Sequence, residues 1–250
     1  MEKARNSGFS LVELTIVIVI VGLLAAGIAG GKNILHTAKL NNVISEVRGY
    51  STAIDNFREK YNYWPGDMPN ATTYWGAYVA ATNPTGVING NGDEVFNNTE
   101  RASVASHLAK SGFLKGDFIG SGSQHSDDNS MASKSVKGGV YILSSTTDVY
   151  NVSGFFIQLK DSNTAGDAWR GIMKPEDVYY IDKKIDDGDS GVTSATSGDL
   201  YASRSSGFSA NNAANNARCV NQYHNRDPPA SYVLTDPDPN CRLFYWMEKR

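Results

Sequence analysis

Gly8–Gly31 reads GFSLVELTIVIVIVGLLAAGIAGG, and Glu13 is its only ionisable side chain. From Phe9 to Gly31 there are 23 residues, which as helix would span about 35 Å, enough to cross a bilayer. Leu14–Val21 is apolar almost without break. A helix that is apolar all round is either fully buried or in lipid. A carboxylate inside such a helix is costly, and residues of that kind are usually paired and functional.

Ordinary export signals account for part of this. Lys3 and Arg5 supply a basic entry and Ala25–Gly31 imitates a small-residue cleavage site. The apolar run, however, exceeds the roughly 7–15 residues of a secretory signal. A plain signal anchor fits the length and leaves Glu13 unexplained. Beyond Gly31 the apolar residues Leu40, Val43, Ile44, Val47, Ile54, Phe57 and Tyr61 keep helical spacing. Lys39, Glu46, Arg48, Glu59 and Lys60 fall largely off that face. The pattern predicts one helix from Phe9 to about Tyr61, roughly 80 Å long. Residues 9–31 form its membrane half, residues 32–61 its amphipathic half, and residues 62–250 a head. Gly22, Gly27, Gly30 and Gly31 weaken the junction, and Gly27 and Gly31 form a GxxxG pair suited to close helix packing in a membrane.

The chain has 250 residues, 40% of them hydrophobic, and a formal charge of −3. That allows one or two domains with a real core and gives no clear nucleic-acid signal. Gly, Ser, Asn and Asp are abundant after residue 80, as in a loop-rich exposed head. The two cysteines are Cys219 and Cys241. Behind a membrane segment they point to an oxidising compartment and a disulfide. The enclosed loop carries Pro228, Pro229, Pro237 and Pro239, and a bridge across it would stabilise by about 3 kcal/mol in the chain-entropy account.

The string GFSLVEL resembles the start of type IV prepilins and of the pseudopilins of type II secretion. In that family a short basic leader ends in Gly, and a membrane-embedded aspartyl peptidase cuts after it. The new first residue, usually Phe, is N-methylated, and Glu stands at the fifth mature position. The resemblance implies a leader MEKARNSG at residues 1–8, a cut between Gly8 and Phe9, N-methylation of Phe9 and an assembly role for Glu13. A freed Phe9 amine would lie about 6 Å along the helix axis from Glu13, and opposite charges attract strongly in a poor dielectric. Closed between subunits, the pair fixes axial stagger, and like-to-like addition of that kind makes open filaments. The implied partners are other copies or related pilin subunits, the prepilin peptidase, the inner membrane and the pilus or type II secretion assembly machinery. The implied location is the inner membrane with a periplasmic head, then an extracellular pilus or a periplasmic pseudopilus. No proline stands near the junction, unlike many pilins, which leans towards the pseudopilins. Retention of Glu13 argues against the tip pseudopilin that typically lacks it.

In the head, YWPGDMPNA at Tyr63–Ala71 carries strong turn signals at Pro65-Gly66 and Pro69. It also resembles a PGD loop that follows the long helix in many bacterial pilin-like proteins, and NGNGDE, HLAKSGFLKGDF and IDKKIDDG are similar to pieces of the same group. Glu100–Lys110 reads as a helix ending at Gly112. Pro175–Asp187 reads as another, with Pro175 in its first turn and Gly188 as C-cap. Gly139–Ser144, Gly154–Lys160, Ser231–Thr235 and Arg242–Trp246 read as short strands. The fold class is α+β, with an antiparallel sheet covering the second half of the long helix.

Asn89, Asn91 and Asp93 place oxygen ligands at alternate positions, as calcium loops do, with Glu100 twelfth in that count. The glycine expected at the sixth position is Glu94. Asp182, Asp186, Asp187 and Asp189 form a second acidic group. Calcium is an expectation for either, against a reading as solvated turn residues. Gly188-Asp189-Ser190-Gly191 matches part of a serine-protease string, but His36, His107, His125 and His224 lack the context a triad needs. No catalytic constellation stands out, so no enzyme is expected. A structural fibre subunit is the leading reading. A low-copy minor subunit whose head binds a surface, a secreted substrate or DNA is the alternative, and a membrane-anchored enzyme comes third.

Overall fold

The computed structural model describes residues 10–120, 130–149, 152–162, 171–185, 199–204, 219–220, 231–239 and 241–249. Helix α1 runs unbroken over Leu11–Tyr61, 51 residues or about 77 Å. It starts at Ser10 in extended backbone and ends at Asn62, which adopts the left-handed conformation and donates its N–H to the Arg58 carbonyl at 2.8 Å. The four junction glycines do not break it.

The two halves of α1 meet different surroundings. Every large apolar side chain from Leu11 to Ile28 is more than half exposed, so no described part of the head covers them. Among the described residues α1 is the one helix long and apolar enough to cross a membrane. Ile34 and Leu35 remain exposed as well. From Leu40 onward the stripe turns inward: Leu40, Val43, Ile44, Val47, Ala53, Ile54 and Phe57 are buried.

The stripe packs against an antiparallel sheet that has five strands among the described residues, in the order β1-β2-β3-β5-β4. Its strands are β1 (Met131–Ala132), β2 (Gly139–Val149), β3 (Val152–Asp161), β4 (Leu200–Arg204) and β5 (Cys241–Lys249). Pleating sends Tyr141, Leu143, Phe155, Ile157, Leu159, Leu200, Ala202 and Leu243 into the core with α1. The other face buries Phe156, Tyr201, Phe244 and Trp246 as a second apolar cluster. Three shorter helices complete the described head: α2 (Ala71–Trp75), α3 (Asn98–Lys110) and α4 (Pro175–Ile185).

Polar ties fix α1 on the sheet. Glu46 is a hub at the β1–β2 turn. Its carboxylate accepts the Ser133 hydroxyl at 2.7 Å, the Ser135 hydroxyl at 2.8 Å, the Lys134 N–H at 3.0 Å and the Tyr141 hydroxyl at 3.0 Å. Tyr50 donates to the Ala132 carbonyl at 3.2 Å and packs its ring 4.9 Å from Tyr141. Burial first, then the Glu46 charge, pushes the Tyr50 phenol up to about 12 and the Tyr141 phenol well above its usual value, so both remain donors. Further along, Arg58 stacks 3.8 Å over Trp64 and pairs with Glu248 of β5 at 3.0 Å. Glu46→Ala leaves the buried Tyr141 hydroxyl and a turn amide without an acceptor, and the expected loss is about 3 kcal/mol. Glu46→Gln, which keeps an acceptor, loses less. Urea unfolding of the full chain in detergent measures both, and a midpoint unchanged in Glu46→Ala would remove the hub from the account.

Several expected elements shift. Helix α3 starts at Asn98 rather than Glu100, because Asn97 caps it in a capping box with Glu100. Helix α4 is described to Ile185, and Asp187 and Gly188 lie outside the described residues. Ser231–Thr235 is not a strand. Tyr232 makes one isolated bridge to Val220, and a turn closed by Asp236 N–H on the Val233 carbonyl ends the pairing. Helix α2 and strands β1 and β4 were not expected. Cys219 and Cys241 form the anticipated disulfide, with Cα atoms 5.1 Å apart, and Cys241 also exchanges backbone bonds with Met173.

Candidate functional site

Glu13 lies in the first turn of α1. Ser10 is the N-cap, and the two residues form a capping box. The Ser10 N–H donates to Glu13 Oε2 at 2.8 Å, while Ser10 Oγ accepts the Val12 N–H at 3.2 Å. Leu11, Val12, Leu14, Ile16 and Val17 surround this turn, all exposed. The carboxylate therefore folds back towards the N-terminal end of the helix, next to the amide that follows Phe9. There it is also favoured by the helix dipole. Gly8 and Phe9 lie outside the described residues.

A second constellation sits at the other end of α1. Asp67, Asp93 and Glu100 come from three separate segments, yet each offers a carboxylate oxygen within 4.8 Å of the others. Asp67 and Glu100 are buried and Asp93 is exposed. Asp67 accepts the Gly92 N–H at 2.8 Å and the Glu94 N–H at 3.0 Å. Glu100 accepts the Asn91 N–H at 3.2 Å and the Asn97 N–H at 2.9 Å. Burial raises the pKa of both Asp67 and Glu100. Their bonds to backbone N–H groups oppose the rise, and the neighbouring carboxylates add to it.

The turn that brings Asp67 here depends on glycine. Gly66 has φ +95°, and a Cβ on it would fall 2.4 Å from the Glu100 carbonyl oxygen. Glu94 has φ +62°, so this loop makes the sharp bend at its sixth position without the usual glycine.

The grouping expected from spacing is therefore corrected. Asn89 turns away, its side-chain oxygen accepting the Thr72 N–H at 2.8 Å. Asn91 is bound within the loop to Asp93, accepting its N–H at 3.0 Å and donating to Oδ2 at 2.8 Å. Asp93 and Glu100 stay, and Asp67 joins them. Asp182 is fully buried and accepts the Tyr232 hydroxyl at 3.0 Å, so it serves the core rather than a solvated cluster. Asp186, Asp187 and Asp189 lie outside the described residues.

Residues 3–29 match the prokaryotic N-terminal methylation motif. The match supports an amino-terminal segment of the kind found in type IV pilins and pseudopilins. No curated protein and no solved structure matches the chain. The motif ends at Ala29, so the pilin-type segment coincides with the uncovered half of α1 and stops before its buried stripe begins at Leu40.

Behind this pilin-type helix, His107 links the two loops of the carboxylate constellation. Its Nδ1 accepts the Gly66 N–H at 2.9 Å and its Nε2 donates to the Ile88 carbonyl at 2.9 Å. Burial lowers its pKa to about 4, against a smaller upward pull from Ile88. Both ring nitrogens are occupied by backbone, which fits a structural imidazole rather than a catalytic base. His36 on α1 pairs with Asp177 of α4 at 2.7 Å. His125, His224 and Gly188–Gly191 lie outside the described residues.

Proposed function

We propose that this chain is a structural subunit, made as a membrane-held precursor, cut between Gly8 and Phe9, N-methylated at Phe9 and polymerised through α1 into a pilus or a secretion pseudopilus. The observation that carries it is the methylation motif over residues 3–29 on a continuous 51-residue helix whose first half the head leaves bare. A surface apolar all round has to be met by lipid before assembly and by the same surface of other subunits afterwards. Prepilin peptidase, the inner membrane and sister subunits are the partners this implies. In this reading Glu13 is the register key, exchanging the Ser10 amide for the Phe9 amine of a neighbour. Intact-mass analysis from a host that has the peptidase is expected to give a chain starting at methylated Phe9. A chain starting at Met1, or cut near Gly31, would overturn the proposal. Abundance in purified fibres separates a major subunit from a low-copy one whose head binds a ligand.

A calcium ion in the head is a second element of the proposal, supported by the convergence of Asp67, Asp93 and Glu100. Three carboxylates at this separation repel one another, and a hard divalent cation with oxygen ligands offsets that repulsion. A cation bound only by the native state at 100 times its Kd would stabilise by about 2.7 kcal/mol. Chelation is therefore expected to lower the melting temperature of the full chain in detergent, and Asp93→Asn is expected to shrink that effect. Identical melting with and without calcium would leave the carboxylates as loop pins.

A further inference from the structure

The two Asn-Gly dipeptides of this chain, Asn89-Gly90 and Asn91-Gly92, both lie in the loop that Asp67 supports. Glycine leaves the following backbone nitrogen open to approach the asparagine side chain, which makes this dipeptide prone to deamidation. The Gly nitrogen attacks the Asn Cγ, a C–N bond forms and closes a succinimide, and the side-chain amide leaves as ammonia. Water then opens the ring at either carbonyl, giving aspartate or isoaspartate. The reaction needs a free Gly N–H and a free Asn side chain.

The fold withholds both at each site, by different means. Gly92 N–H is held by the Asp67 carboxylate at 2.8 Å, and the Asn91 side chain is bound at both ends to Asp93. Gly90 N–H is held by the Met68 carbonyl at 2.9 Å, and the Asn89 oxygen by the Thr72 N–H. We infer that Asn91 is a latent deamidation site gated by Asp67. Its conversion follows opening of the loop and is permanent. The product puts a carboxylate where Asn91 Nδ2 donates to Asp93 Oδ2, so a donor becomes a like charge and the closed loop cannot re-form its bond.

The test follows both sites by peptide mapping of the full chain in detergent at mildly alkaline pH. Folded wild type is expected to keep both asparagines, and urea-unfolded protein to convert both. Asp67→Ala is expected to convert Asn91 at least about tenfold faster than folded wild type, with Asn89 still protected, because local opening sets the rate. Because that variant can lose its fold, a wild-type series carries the test independently. As urea is raised below the unfolding transition, Asn91 conversion should rise in step with hydrogen exchange at the Gly92 amide. Equal rates at Asn91 in folded and unfolded wild type, or faster Gly92 exchange with no conversion, would overturn the inference.

Discussion

Glu13→Ala is expected to be cut normally and to disappear from sheared fibres. The proposed cut after Gly8 precedes Ser10, the N-cap of α1, so removing a carboxylate one turn inside the helix is expected to spare it. Assembly is different. A methylated Phe9 amine inside an apolar fibre core needs a counter-charge, and removing one partner of a buried pair costs about 3–5 kcal/mol. In a homopolymer that loss recurs at every contact; in a minor subunit it occurs once or a few times. Glu13→Gln separates the two jobs of the side chain, since it keeps an oxygen for the Ser10 N–H but carries no charge. If the charge is what matters, Gln fails in fibres as Ala does. If Gln assembles like wild type, the capping bond alone was needed. Normal fibre incorporation of both variants would refute the register role.

The second large effect is a loss of stability in acid. His107 has a folded pKa of about 4 against an ordinary imidazole value of 6.5. Between those values the unfolded chain binds the proton and the folded chain does not, so stability rises with pH across this window. Its contribution is full above about pH 6.5 and is lost as the pH falls towards 4, by about 3 kcal/mol in all. Asp67 and Glu100 act the other way. Their raised pKa values mean that their ionised forms weigh against the fold, and acid relieves this as the pH drops through those raised values. The expected profile of urea midpoint against pH is a decline on the acid side of neutrality that flattens at its lower end. His107→Gln should remove the decline while lowering stability at neutral pH. A wild-type midpoint that stays flat from about pH 7 to about pH 5 would contradict the buried neutral imidazole.

What could be read from the sequence was whatever local periodicity encodes. Helix α1 announced itself through an apolar run and then an apolar stripe, and the buried apolar residues from Leu40 to Phe57 are those the spacing selected, with Ala53 added. Strands β2, β3 and β5 are dense in apolar residues and were found with short ends. Strand β4, LYASR, offers little beyond Leu200 and Ala202, and its place in the sheet comes from pairing with β5. Strand β1 has two residues, too few to form a pattern. Ser231–Thr235 had the composition of a strand, but among the described residues its ladder pairing is a short bridge to Cys219 and Val220. The carboxylate constellation was half legible. Asp93 and Glu100 share a loop and a helix start, whereas Asp67 joins them through a tertiary turn that no spacing rule reports. Glu46 reads in the sequence as one of the charges largely off the apolar face, and the four bonds that converge on it come from tertiary contacts.

The strand order has a consequence for timing. Strand β5 follows every other strand in the sequence, yet it lies between β3 and β4 and pairs with both. A chain emerging from its N-terminus presents β4 before any partner exists for it. Until Cys241–Lys249 has arrived, the sheet is a three-stranded piece with an open flank, and α1 has only part of the floor it rests on. The described sheet is therefore complete only once β5, the last of its strands along the chain, has joined β3 to β4.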